Sequence, residues 1–175
     1  MQFYIKNEGS DSPNNSKDTH LRFAKITDIE KIQNLIEPFV KRGLLLPKDR
    51  SKIETDLPRT IVYATHQQIL GVANLFQYDD DLYEIRGLAI HEQYQNRGLG
   101  RKIIEKLLSD IKIEYKGKQI TIFALTMASD FFLKMGWKLV KKEKFPRKIF
   151  DDCMYCKKKD ECFEDAVEII LNGKR

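Results

Sequence analysis

Residues Glu84 to Leu108 read EIRGLAIHEQYQNRGLGRKIIEKLL, and their pattern decides the fold. An apolar strand run around Ile85, Leu88 and Ile90 comes first. A turn rich in Gln, Asn, Arg and Gly follows, then an amphipathic run with Ile103, Ile104, Leu107 and Leu108 on one face. Strand, glycine loop and helix is the order that presents unpaired backbone N–H groups to an anion. In Gln95-x-x-Gly98-x-Gly100 the glycines keep side chains out of such a cradle. Arg97 and Arg101 add charge beside it, and the helix dipole starting near Leu99 adds more. No Gly-Lys-Ser/Thr follows, so the spacing is not that of a nucleotide P-loop.

Around this stretch lies a chain of 175 residues, 42% hydrophobic and 33% charged, which fits one globular domain with its own core. No apolar run approaches the roughly 20 residues of a membrane span. The N-terminal residues lack the cationic start and apolar core of a secretory signal, and three cysteines argue against an extracellular disulfide framework. A cytoplasmic protein is expected. The net charge of +5 is uneven, with nine basic and three acidic residues between Lys138 and Lys159. Such a run is usually a solvated face, although it can also hold nucleic acid or acidic small molecules. A small-molecule partner is expected, with no nucleic acid and no membrane; a homodimer is left open.

Upstream, residues 1–19 are polar and predict a flexible lead-in. Residues 20–145 predict the core, and residues 146–175, which contain all three cysteines, complete the domain. Leu21 to Ala24 reads as a short strand. Thr27 and Glu30 suggest a capping box for a helix with Ile29, Ile32, Leu35, Ile36, Phe39 and Val40 inward, ended by Gly43. Strands are expected at Ile61–Ala64, Leu70–Phe76, Tyr83–Ile90, Gln119–Leu125 and Trp137–Val140, with His66-Gln67-Gln68 as a hairpin turn. A helix is expected over Met127–Met135. Ala166–Leu171 is read as either a strand at the sheet edge or a short helix. The order β-α-α-β-β-β-α-β-α-β predicts an α/β protein with a single mixed sheet.

The loop, its upstream strand and its flanking arginines resemble the Gln/Arg-x-x-Gly-x-Gly/Ala acetyl-CoA loop of the GNAT acetyltransferases. The resemblance implies acetyl-CoA as cosubstrate, held by Leu88, Ala89 and Ile90 along the pantetheine arm. Gln95, Asn96, Arg97, Gly98, Leu99, Gly100 and Arg101 would lie around its phosphates. Glu84, at the start of the strand, can face the cleft as a general base or stand as an ordinary surface residue of an alternating strand. Many members place a tyrosine as general acid on the helix before the Gly-Phe/Trp step. In Ala128 to Trp137 (ASDFFLKMGW), Phe132 takes that place and has no proton to give.

A narrower resemblance is to the acetyltransferase domain of the N-acetylglutamate synthases. It rests on Leu35-Ile36-Glu37-Pro38, Leu45-Leu46-Pro47-Lys48-Asp49-Arg50, Glu84-Ile85, Phe123-Ala124-Leu125-Thr126 and Phe145-Pro146, in that order. It implies Glu84 as catalytic base and Thr126 as donor of a proton to the leaving thiolate. It further implies that Lys48, Arg50 and the Gly87 N–H bind the carboxylates of an acidic amino acid. Lys48 replaces a family arginine, keeping the charge and losing the fork. Arg147 and Lys148 are the nearest substitutes for an arginine-rich segment that the family carries after Leu-Pro. An amino-acid-kinase domain is not expected ahead of the acetyltransferase, so inhibition by arginine is expected to be weak.

Cys153-x-x-Cys156-x5-Cys162 is read as reduced structural thiols. Zinc, with Asp152, Asp160 or Glu161 completing four ligands, and redox pairing are the minority readings; no metal is expected. The acceptor expected is the α-amine of L-glutamate, as in arginine biosynthesis. Two alternatives stay open: another amine, such as a different amino acid or a protein N-terminus, and a non-catalytic CoA- or nucleic-acid-binding regulatory module.

Overall fold

A computed structural model describes residues 19–115, 117–156, 160 and 162–172. The expected lead-in over residues 1–18 lies outside the described residues. The chain runs β1 (His20–Phe23), α1 (Ile29–Lys41), α2 (Arg50–Asp56), β2 (Thr60–Ala64), β3 (Ile69–Asp79), β4 (Leu82–Ile90), α3 (Leu99–Glu114), β5 (Gln119–Thr126), α4 (Ser129–Leu133), β6 (Lys138–Val140), α5 (Pro146–Asp151) and β7 (Asp165–Asn172). The strands form one sheet in the order β1-β2-β3-β4-β5-β7-β6. All neighbours are antiparallel except β4 and β5.

Alternation along the strands divides the side chains between two layers. On one face α3 buries Ile103, Ile104, Leu107 and Ile111 against Leu75, Tyr83, Ile85, Ile120 and Ile122, joined by Phe132 and Trp137. On the other, Ile29, Ile32, Leu35 and Ile36 of α1 and Ile53 of α2 pack on Val62, Val72 and Ala89. That second face continues across β5 as a smaller cluster of Tyr78, Phe123, Phe145 and Ala166.

Three local expectations change. Helix α1 begins without the Thr27–Glu30 box: Asp28 precedes it, and its carboxylate accepts the Lys25 N–H at 2.8 Å and two bonds from Arg22 at 2.6 and 3.0 Å. A two-pronged guanidinium holds that carboxylate more firmly than a hydroxyl would hold the helix end. Helix α4 is only Ser129–Leu133, because the chain must turn at Gly136, which adopts a left-handed conformation. Ala166–Leu171 lies within a strand, β7, which is inserted between β5 and β6, so β6 forms the sheet edge instead. Interior position explains the near-continuous burial from Ala166 to Glu168.

Candidate active site

The sheet parts at Glu84. Strand β4 pairs with β5 only at Leu82, Tyr83 and Glu84, opposite Thr121, Ile122 and Phe123. Beyond Glu84 it keeps its ladder to β3 alone, leaving its β5-facing edge open from Ile85 to Ile90. A bulge lies in this stretch: Asn74 faces Arg86 and Val72 faces Ala89, so Gly87 and Leu88 together oppose Ala73. Gly87 makes the bulge possible with a φ of 61°, which β-carbon-bearing residues rarely adopt. A bulge bends its strand and increases local twist; here it turns β4 away from β5. Leu88, Ala89 and Ile90 thus lie on an unpaired strand edge.

The glycine loop follows directly. Gln95 turns back and donates its side-chain amide to the Ile90 carbonyl at 3.0 Å, fixing the loop to the end of β4. Asn96 and Gly98 carry φ values of 59° and 78°, and Gly98 is the residue before α3. The first hydrogen bond of that helix runs from the Lys102 N–H to the Gly98 carbonyl, so the amides of Leu99, Gly100 and Arg101 have no partner within the helix. The two glycines differ in what they answer to. A β-carbon on Gly98 would meet nothing within 4 Å, whereas one on Gly100 would sit 3.3 Å from the Phe131 ring. Gly100 therefore lets α3 approach α4, and Gly98 makes the turn. The Arg97 guanidinium lies 5.2 Å from the Tyr94 ring. Arg101 donates to the Lys134 carbonyl at 3.3 Å, at the end of α4.

Glu84 is buried at 3% exposure, and it is not alone. Its Oε2 accepts from Arg86 Nε at 2.5 Å and from the Tyr78 hydroxyl at 3.0 Å, and its Oε1 lies 3.0 Å from Lys148 Nζ. Asp152 closes the cluster with bonds from Arg86 Nη2 at 2.6 Å and Lys148 at 3.1 Å, and at 3.1 Å it shares the one Tyr78 hydroxyl proton with Glu84. The Arg86 guanidinium also stacks 3.6 Å from the centre of the Phe76 ring. Two carboxylates and two cations thus neutralise one another in a poorly hydrated place, the condition under which buried charge is tolerated. Burial opposes the charge on Arg86, but Glu84, Tyr78 and Asp152 outweigh it and raise its pKa. Burial likewise opposes the Asp152 carboxylate, yet Lys148 and Arg86 hold it below the ordinary value. Burial, then the neighbouring Glu84 charge, pushes the Tyr78 phenol up, so it keeps its proton and serves as a donor.

The other expected site residues are distributed around this cluster. Lys48 Nζ lies 2.7 Å from Asp56 Oδ2; the Asp56 carbonyl accepts from Asn74, the residue opposite Arg86. Lys48 is therefore on the Glu84 side of the sheet, already paired. Arg50 is exposed at the first position of α2. Arg147 donates to the Tyr78 carbonyl and lies 3.4 Å from Asp79, one residue away from the Glu84 cluster that Lys148 joins directly. Thr126 ends β5, and its Oγ1 accepts the Ala128 N–H at 3.0 Å. Alternation from Phe123, which is level with Glu84, puts Thr126 on the opposite face, so the two flank the gap from different sides. Phe132 is core, 4.9 Å from Trp137. Cys153, Cys156 and Cys162 are not in disulfides; burial raises the Cys153 thiol, and Lys142 Nζ lies 3.3 Å from Cys162 Sγ. Among the described residues, no group of three or more His, Cys, Asp or Glu is placed to hold a metal.

Arg86 and Tyr78 were not among the expected residues, and Asp152 was expected only as a candidate zinc ligand. Arg86 had a signal, because a residue two positions from Glu84 on a strand shares its face. Tyr78 had a weaker one, lying just across the turn between β3 and β4. Nothing local points to Asp152.

Known proteins are similar to this chain. The acetyltransferase (GNAT) domain matches residues 48–155, and an uncharacterized N-acetyltransferase of Chlorobaculum tepidum is 33% identical over 86% of this chain and 95% of its own length. The chain belongs to the GNAT acetyltransferase family. An amino-acid acetyltransferase of Shewanella oneidensis is 26% identical over 73% of this chain, which spans only 28% of that protein. Among solved structures, N-acetylglutamate synthase of Neisseria gonorrhoeae, complexed with coenzyme A and N-acetyl-glutamate, superposes with a TM-score of 0.76. It is 21% identical, with 90% of this chain and 36% of that chain covered. Rv2747 of Mycobacterium tuberculosis, in complex with CoA and NLQ, gives a TM-score of 0.71 at 20% identity over 87% of this chain and 99% of that one. These two likenesses establish the fold. No helix among the described residues is long and apolar enough to cross a membrane.

Proposed function

We propose that this chain moves an acetyl group from acetyl-CoA to the α-amine of an acidic amino acid, with L-glutamate the first candidate. The observation that carries the reading is the position of Glu84: a buried carboxylate where β4 and β5 part, with Arg86 and Lys148 against it. Acetyl-CoA supplies an activated thioester, and the chain's part is to hold it, orient the amine and move two protons. The open edge of β4 from Leu88 to Ile90 offers backbone groups to the pantetheine amides, and the amides after Gly98 offer donors to phosphate. Holding both reactants in register is worth on the order of 7–11 kcal/mol of barrier.

Glu84 takes the proton that the acceptor nitrogen gives up as it bonds to the acetyl carbon. As the carbon–sulfur bond breaks, Thr126 passes its hydroxyl proton to the departing thiolate and regains one from solvent, while Glu84 releases the amine proton to solvent. Thr126 Oγ1 already accepts the Ala128 amide, which leaves the hydroxyl hydrogen to point elsewhere. Carboxylates of the acceptor draw on Arg86 and Lys148, with Lys48, Arg50, the Gly87 N–H and Arg147 as further donors once their present partners are exchanged.

The test is mass-spectrometric detection of acetylated product from acetyl-CoA and a panel of amino acids, polyamines and N-terminal peptides. N-acetylglutamate as the main product supports the reading. A product from another amine moves the acceptor, and bound acetyl-CoA with no product from any amine favours a regulatory module.

A further inference from the structure

Asp152 occupies a place built to receive a carboxylate. Its Oδ2 accepts from Arg86 Nη2 at 2.6 Å and Lys148 Nζ at 3.1 Å, and lies 3.1 Å from the Tyr78 hydroxyl, whose one proton it shares with Glu84. Arg86 and Tyr78 belong to the β3–β4 hairpin, and Arg86 is further fixed by Phe76 and Glu84. Together they make a preorganised receptor for one carboxylate. Its occupant comes from the far end of a six-residue helix and is itself about one-third exposed. Helix α5 is anchored at its other end, where Phe145 stacks on Phe123, so Asp152 can leave by turning its side chain while α5 stays docked.

We propose that Asp152 is a built-in competitor that holds the place of the acceptor's carboxylate on Arg86, Lys148 and Tyr78 and is displaced when the acceptor enters. The proposal rests on the acidic-amino-acid reading above. Charge balance carries it. Glu84 and Asp152 offset Arg86 and Lys148, so a carboxylate that entered without displacing Asp152 would leave a buried excess of negative charge. One carboxylate exchanged for another preserves neutrality. A tethered occupant also weakens the free ligand by the fraction of time the receptor is filled.

The experiment uses glutarate, a dicarboxylate with no amine, titrated calorimetrically into the CoA-loaded full chain. Asp152→Asn keeps the shape and removes the charge; it is expected to bind glutarate about fivefold tighter or more than the unmodified protein. Asp152→Glu should keep the weaker binding, and Arg86→Gln added to Asp152→Asn should abolish the gain. Asp152→Ser, measured in parallel, keeps the comparison should the amide perturb folding. Equal or weaker binding by the neutral variants, or no glutarate binding by any of them, overturns the proposal. Glutarate binding involves no acetyl transfer, so a protein that acetylates no amino acid yet shows the gain would sink the functional reading and leave the carboxylate exchange standing.

Discussion

Lys148 Nζ lies 3.0 Å from Glu84 Oε1, which joins a helix after the last edge strand to the strand at the centre of the sheet. Both side chains are largely buried, at 14% and 4% exposure, so the contact is not a surface ion pair of negligible worth. Replacing Lys148 with Met removes a charged donor from the acceptor side and leaves the glycine loop alone. The Michaelis constant for the acidic acceptor should rise about 10- to 100-fold, as expected for losing a charged hydrogen bond, with that for acetyl-CoA unchanged. Steady-state kinetics with each substrate varied in turn would show it. An equal rise for both would mean that Lys148 only supports the fold.

Phe145 and Phe123 stack at 3.9 Å between ring centres with planes 9° apart, and both are almost fully buried. This is the apolar half of the contact that docks α5. Phe145→Ala should cost about 3–5 kcal/mol in urea unfolding and should speed amide exchange in α5. A loss under about 1 kcal/mol would place the anchoring of α5 elsewhere.

Acid should act through Asp28 and Asp152. Both have folded pKa values lowered beneath the ordinary carboxylate: burial opposes this in each, and Arg22 for Asp28 or Lys148 for Asp152 prevails. A lowered folded value contributes stability that is fully present above the unfolded pKa of about 3.9 and is lost as pH falls through the folded one. The urea midpoint should therefore be level from neutrality to about pH 5 and fall below about pH 4. Asp28→Asn should flatten that fall; an unchanged acid limb would remove Asp28 from the explanation.

Gly98 and Gly100 should respond to different substitutions. Gly98 has a φ of 78° and open space around it, so Gly98→Ala costs backbone strain of about 1–2 kcal/mol. That strain should weaken acetyl-CoA binding. At Gly100 the Phe131 ring stands 3.3 Å from a β-carbon, so Gly100→Val should lower thermal stability by prising α4 from α3. Thermal melts with and without CoA separate the two effects.

Local patterns made much of this legible. The strand, loop and helix from Glu84 to Leu108 could be read because alternation, glycine positions and helical periodicity all act within a few residues. The place of β7 could not, because an interior antiparallel strand and an edge strand have the same short apolar sequence and differ only in distant partners. The Asp28 anchor displaced the expected capping box because its partner, Arg22, comes from the preceding strand. The site divides in the same way. Glu84 was visible on its strand, and Arg86 was readable from alternation. Asp152 reaches Arg86 from 66 residues away, a separation over which single-sequence patterns carry no information.

The central claim is that Glu84 accepts the proton of an amino-acid amine. Its most direct test is the rate of N-acetylglutamate formation, followed by mass spectrometry, in the unmodified protein and in Glu84→Gln, with folding of both verified by thermal melts. N-acetylglutamate should form with the unmodified protein, and turnover should be at least about tenfold lower in the folded variant, a threshold set below the roughly 10²–10⁴-fold that general base catalysis contributes. Undiminished turnover in a folded Glu84→Gln variant would contradict it.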